Sequence, residues 1–329
     1  MKRYVFVGDY VANNGPANVN KGIIKNLTQN FDYVKCSNKY LKVAEIILKI
    51  SFCDVVVVSG VSLYTYISLK IASLLHKKKI YIMHGCYEIE SALNETAIDE
   101  KSLQMEKYIL HSVDLLLPVS KRYGQVIQEK YPFCKGKTAY LHNGVDKVSM
   151  ECEDCMREKG RVIAVGGDRK LKNNITVAKA MNKLDDTKVL MVYGHLYHPE
   201  SLPKGDNIEF KGLVPQKQLY EEMQKSELFV LNSTFESFGL TVFDALQCGC
   251  SVLVSNIAGA LDILNTTQHD VIYNPMDEDE VAEKIDYLLQ NPNNSRLVKG
   301  LDFEKISYKA EVERLEQFCR KLSGKVGAN

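Results

Sequence analysis

Two carboxylates eight residues apart, Glu236 and Asp244, bracket a glycine in the stretch Leu231-Asn232-Ser233-Thr234-Phe235-Glu236-Ser237-Phe238-Gly239-Leu240-Thr241-Val242-Phe243-Asp244. An apolar strand ends near Leu231, a polar loop carries Glu236, and a helix starts near Gly239. Gly239 lets backbone approach a ligand closely, and the amides that follow it, through Leu240 and Thr241, lie at the positive end of the helix, where anions bind. Carboxylates accept from hydroxyls and amides donate to phosphate. Together they make a grip suited to a nucleotide-sugar. An ordinary strand–loop–helix junction has the same outline, and the pattern alone leaves both readings open.

The elements that must position this stretch alternate in type. The first half holds apolar runs at 4–8, 54–59, 80–83 and 114–118, with helical patterns after Gly15-Pro16, at about 63–78 and at about 101–112. Runs without polar alternation suit parallel strands covered on both faces, and their alternation with helices implies βαβ units. Residues 151–160 lack a strand pattern and read as a linker. A second series follows, at 161–166, 188–192, 228–231 and 251–254. The expectation is an α/β protein of two Rossmann-like, doubly wound parallel-sheet domains, 1–150 and 151–307, facing each other across a cleft. An amphipathic helix at 308–329, with Val312, Leu315, Phe318 and Leu322 on one face, packs back on the first domain.

Composition removes several function classes. The 329 residues carry a net charge of +1, so no global field favours nucleic acid. The first strand leads into Gly8-Asp9-Tyr10-Val11-Ala12-Asn13-Asn14-Gly15-Pro16, which is neither the dinucleotide fingerprint nor a Walker A loop. Its turn still leaves amides near Gly15 for a phosphate or a sugar hydroxyl. The start Met1-Lys2-Arg3 and the following strand do not form a signal peptide, and no uncharged run reaches the roughly 20 residues of a membrane span. The nine scattered cysteines read as reduced thiols, which points to the cytoplasm. Cys152 and Cys155 have metal-ligand spacing but read as chance, as do Cys248 and Cys250. Asp277-Glu278-Asp279 reads as an acidic helix start, so no metal and no cofactor are expected. The stretch Tyr64–Lys79 mixes Ile67, Ile71, Leu74 and Leu75 with Lys70, Lys77, Lys78 and Lys79. It either touches an anionic membrane surface or buries its apolar face against the sheet as a crossover helix.

The Glu236 stretch resembles the Glu-x7-Glu signature of retaining glycosyltransferases of GT-B architecture, glycosyltransferase family 4 in particular, of the bacterial surface polysaccharide type. The likeness runs along most of the chain: Val119-Ser120-Lys121, Leu141-His142-Asn143-Gly144-Val145-Asp146, Phe210-Lys211-Gly212-Leu213-Val214-Pro215, and Ser255-Asn256-Ile257-Ala258-Gly259-Ala260 with Asp262. It departs at three positions. Asp244 stands for a glutamate, Gly167 for an arginine, and Gly85 for the aspartate usual beside His84.

The resemblance implies roles. Glu236 binds hydroxyls of the donor sugar, and Asp244 the ribose. Lys172 and Arg169, the latter in place of the missing arginine, neutralise the diphosphate, together with the Gly239 helix end. Leu213 and Val214 lie against the base, in a loop. His84 faces the donor. Gly15 binds the donor through the amides of its turn, and the acceptor, a saccharide or lipid-linked saccharide, enters near Asn14, Gly15, Asn18, His84 and Glu88, with Glu90 and Glu95 in the same polar stretch. The donor is a nucleoside-diphosphate sugar, a UDP-sugar first. The implied mechanism is front-side, with the leaving diphosphate helping to deprotonate the acceptor. A nucleotide-sugar epimerase and a non-catalytic nucleotide- or glycan-binding module are the alternatives.

Overall fold

The computed structural model describes residues 3–12, 14–148, 156–203 and 205–324. Cys152, Cys155 and part of the expected linker lie outside them. The chain divides into two compact units. The first comprises Met1–Ala92, Thr96–Asp146 and Asp302–Asn329, and the second Leu93–Glu95 and Lys147–Leu301.

The first unit runs β1 (Tyr4–Gly8), α1 (Gly15–Lys25), β2 (Phe31–Tyr33), α2 (Lys39–Ser51), β3 (Val55–Ser59), α3 (Leu63–Leu74), β4 (Lys78–Met83), α4 (Tyr87–Leu93), α5 (Glu100–Ser112), β5 (Leu115–Pro118) and α6 (Lys121–Lys130). Its five strands are parallel in the order β2-β1-β3-β4-β5. Val55–Val58 of β3 are fully buried, as a central strand with helices on both faces demands. Pro16 sits in the first turn of α1, where its missing N–H costs nothing, and the Asn14 side chain caps the helix by accepting from Ala17 N–H at 3.0 Å. Crossover helix α3 buries Leu69 and Ala72 but leaves Leu74 and Leu75 exposed, and Lys78 and Lys79 belong to β4 rather than to the helix.

The second unit runs β6 (Arg161–Val165), α7 (Asn174–Met181), β7 (Val189–Tyr193), β8 (Ile208–Gly212), α8 (Gln216–Lys225), β9 (Leu228–Leu231), α9 (Leu240–Gln247), β10 (Ser251–Ser255), β11 (Val271–Ile272), α10 (Glu278–Gln290) and α11 (Asn294–Lys299). Its six strands are parallel in the order β11-β10-β9-β6-β7-β8. One face of the sheet, through Val162, Ala164, Leu190, Val192, Leu228 and Val230, packs on α7 and α10. Strand β8 was not expected. Phe210-Lys211-Gly212 of the family-like stretch completes it, and the loop begins at Leu213. Edge position explains the miss: along β8, half-buried and exposed residues alternate instead of forming an apolar run. Asp277 caps α10 by accepting from the Asp279 and Glu280 amides.

The chain then returns to the first unit as α12 (Tyr308–Leu322). Its buried face is Tyr308, Glu311, Val312, Leu315, Glu316 and Cys319, rotated from the apolar stripe expected, so that Phe318 and Leu322 are only half-buried. The rotation has a polar cause. Glu316 accepts from Thr28 Oγ1 at 2.6 Å and Asn30 Nδ2 at 2.8 Å, while Arg320 covers the same carboxylate at 2.6 Å. Among the described residues no helix is long and apolar enough to cross a membrane.

Candidate functional site

In an open parallel sheet, ligands bind beyond the carboxyl ends of the strands where the winding direction reverses. In the second unit that reversal falls between β6 and β9. Two charged side chains meet there. Lys172, in the 3-10 turn Lys170–Lys172 after β6, and Glu236, in the loop after β9, form an ion pair, Nζ to Oε2 at 2.5 Å. Both are largely buried, with side-chain exposures of 16% and 12%. The two loops are tied together, because Thr234 N–H donates to Leu171 C=O at 2.8 Å. Asn173, in the left-handed conformation with φ +53°, and Asn232, fully buried, both donate side-chain N–H to Pro275 C=O. These asparagines brace the site, and neither was singled out from the sequence: both are uncharged, and Asn173, although the N-cap residue of α7, turns its side chain to Pro275 and Thr176 instead of making a capping bond.

The glycine at 167 has a steric reason. Its φ is +62°, and a Cβ there would lie 1.9 Å from His195 C=O, backbone against backbone. No arginine fits. The stem of Lys172 lies across Gly166, where a Cβ would come within 2.6 Å of its Cγ. Asp168 is buried and holds the 195–198 loop, accepting from the amides of Tyr197 and His198. Arg169, by contrast, is exposed, and its Nε donates to Gly166 C=O at 3.4 Å. It stands three residues from Lys172 with its guanidinium on the solvent side.

Gly239 adopts φ +97° as the N-cap residue of α9. A Cβ there would be both strained and 3.2 Å from Leu231. The half-buried Leu240 and Thr241 open the helix, so their amides have no partner one turn earlier within it. Phe238 is a core residue, 1% exposed and stacked on Phe243, so it has only backbone to offer. Asp244 is half-buried within α9. Leu213 is 77% exposed and Val214 half-buried, both just beyond β8.

In the first unit the winding reverses between β1 and β3. Here a chain of neutral groups runs inward. Asn20 Nδ2 donates to Asp9 C=O at 2.6 Å, so its Oδ1 faces Ser59 and accepts from the hydroxyl at 2.7 Å. Ser59, its proton so used, accepts from His84 Nε2 at 2.9 Å. The chain assigns the proton of His84 to Nε2 and leaves Nδ1 as the ring's acceptor. Burial pushes the imidazole down to about 4 from its ordinary 6.5, with Asn143 beside it working the other way. His84 is therefore neutral at physiological pH. Beside it the Glu90 carboxylate fills the space next to Gly85, its Oε1 2.1 Å from where a Cβ would be, so a side chain at 85 requires Glu90 to turn away.

The remaining residues are spread out. Asn14 is committed to capping α1. Gly15 is exposed, with open space where a Cβ would sit. Asn18 is exposed and accepts from Lys21 at 3.4 Å. Glu88 accepts from Tyr131 Oη at 2.7 Å and pairs with Lys130 at 2.9 Å; the tyrosine first, then the lysine, hold its carboxyl below the usual range.

Comparison with known proteins follows the same division. The fold matches solved GT-B structures along nearly the whole chain. HepE from Anabaena, in complex with UDP and glucose, aligns with a TM-score of 0.71 over 98% of this chain and 100% of its own, at 12% identity. WaaG, a glycosyltransferase of lipopolysaccharide biosynthesis, aligns at 0.62 over 94% and 98%, at 15% identity. Among curated proteins, a 4-alpha-N-acetylgalactosaminyltransferase acting on an undecaprenol-linked diphospho-sugar, from Campylobacter jejuni, is 24% identical over 57% of this chain and 54% of its own length. Mannosylfructose-phosphate synthase from Agrobacterium fabrum is 22% identical over 50% and 35%. The chain thus spans about half, or less, of these two relatives. Residues 156–299, nearly all of the second unit, match the family model of glycosyl transferases group 1.

Proposed function

We propose that the protein is a retaining glycosyltransferase of family 4 that moves a sugar from a nucleoside-diphosphate sugar, a UDP-sugar first, to a saccharide or lipid-linked saccharide acceptor in polysaccharide assembly. The observation that carries this reading is the Lys172–Glu236 pair beside the α9 start, at the β6/β9 reversal. The family match over that unit and the transferase activity of the Campylobacter jejuni relative support it. Without donor, cation and carboxylate satisfy each other. With donor, the diphosphate takes Lys172 and the amides of Leu240 and Thr241, and the sugar hydroxyls take Glu236. Arg169 exchanges its long bond to Gly166 C=O for the phosphate oxygens. Leu213 and Val214 flank the base, and Asp244 the ribose.

Transfer breaks the bond from the anomeric carbon to the diphosphate oxygen as the acceptor oxygen bonds the same face. The acceptor's proton passes to the leaving phosphate. The protein's part is positioning and charge stabilisation, with Lys172 and Arg169 standing where other enzymes use a metal. The acceptor approaches on the side of Asn14, Gly15, Asn18, His84 and Glu88.

The test is an incubation with nucleotide-sugars and saccharide acceptors, in EDTA, followed by NMR. The expected result is free nucleoside diphosphate with a product of the donor's anomeric configuration. An inverted product removes the retaining mechanism, an isomerised donor points to an epimerase, and loss of transfer in EDTA removes metal independence.

A further inference from the structure

Helix α2 is apolar on the side that faces solvent. It buries Ile46 and Ile50 against the first unit, yet Tyr40, Leu41, Ile47 and Leu48 are exposed by 75%, 61%, 47% and 62%, and Phe52, just past its end, by 58%. These positions, with the exposed Ala44 between them, recur at helical spacing and form one continuous stripe. A soluble surface helix has its polar residues there.

The charge around the stripe is mainly positive. Residues 35–79 hold eight lysines and two carboxylates, in a chain whose net charge is +1. Both carboxylates are engaged. Glu45 accepts from the amides of Lys35 and Cys36 and pairs with Lys49, while Asp54 pairs with Arg3. Several lysines lie along the stripe's borders. Lys39 sits over the Tyr40 ring, Lys42 over Tyr64 of α3, and Lys77 reaches Ser51 C=O at the end of α2. Next to it, Leu74 and Leu75 add exposed apolar surface at the end of α3.

We propose that this α2 face docks on an anionic lipid surface, with the stripe in the headgroup–acyl boundary and the lysines on lipid phosphates. Bulky apolar residues bordered by lysines, with no unengaged carboxylate, complement such a surface. They do not complement a second copy of this chain, whose own face would meet lysine with lysine. The site is separate from the donor residues and does not depend on the transferase reading.

The experiment is flotation of the whole chain with phosphatidylcholine vesicles and with vesicles that also contain phosphatidylglycerol, without any donor. The expected result is binding to the anionic vesicles that falls with added salt. Leu41→Glu with Leu48→Glu abolishes it, while circular dichroism and the melting midpoint stay unchanged because both residues are exposed. Removing Lys39 by Lys39→Ala weakens partition about fivefold, the worth of one lysine near an anionic surface. Three results overturn the proposal: no binding of the wild-type chain to anionic vesicles, equal binding by the double variant, or a dimer in light scattering that the double variant dissolves when vesicles are not bound. The last assigns the face to a second copy. None of the three touches the transfer assay.

Discussion

The two sheet reversals in this chain are built from opposite materials. At β6/β9 of the second unit, a lysine and a glutamate meet at the mouth of two loops beside a helix start. At β1/β3 of the first unit, an amide, a hydroxyl and a neutral imidazole pass a proton assignment inward, with no formal charge among them. The same winding rule places both. Their chemistry tells them apart: a charged pair offers exchangeable partners to a diphosphate and a polyol, whereas a neutral chain fixes the direction of single hydrogen bonds.

The largest expected effect breaks the charged side. Glu236→Gln keeps the side chain's shape and removes the charge, so transfer should fall by about 100-fold or more, the scale seen when a transition-state contact is lost, while free nucleoside diphosphate still binds. Lys172→Ala should lose both transfer and diphosphate binding. Rate assays paired with calorimetric titration of the diphosphate separate the two. Unchanged transfer in Glu236→Gln would falsify the role given to the pair.

The neutral side makes a different prediction, in stability rather than rate. His84 stays uncharged in the folded chain down to about pH 4, whereas an unfolded chain protonates it near its ordinary value of 6.5. Between those values the unfolded state binds more protons. The contribution of a neutral His84 is therefore whole above the upper value and is lost as pH falls toward the lower one, a change of about 3 kcal/mol in all. His84→Gln, which cannot take the proton, should flatten that slope. Urea midpoints of the two proteins across the window measure it; parallel curves would remove the buried neutral imidazole from the account.

What could be read in advance follows the same contrast. The charged site announces itself through residue type: Glu236, Gly239 and Lys172 stand at strand ends that apolar runs such as Val162–Val165 and Leu228–Leu231 make visible. The neutral chain does not, because Asn20 and Ser59 are common residues whose meeting depends on β1 and β3 pairing across 39 residues. Gly167 looked like a missing arginine and is instead a position with no room for a Cβ. Helix α2 keeps a helical period in Lys42, Glu45 and Lys49, but the sequence does not tell which of the apolar residues between them are buried and which stay exposed. Strand β2, three residues long, has too few positions to show one.

The smallest effect tests the second carboxylate of the charged site. Asp244 is half-buried in α9, one methylene shorter than the glutamate of the family it resembles. A carboxylate that binds the ribose contributes equally before and in the transition state, so its loss should appear in the donor KM and not in kcat. Asp244→Ala should therefore raise the donor KM by about tenfold, the worth of one hydrogen bond to a charged group, with kcat unchanged. Asp244→Glu should leave KM within a small factor of wild type. A carboxylate that only steadies α9 gives another pattern: Asp244→Ala lowers the melting midpoint and leaves the donor KM alone. Initial rates against donor concentration, beside a melting curve, distinguish a ribose contact from a helix brace, and so decide whether the charged site has two working carboxylates or one.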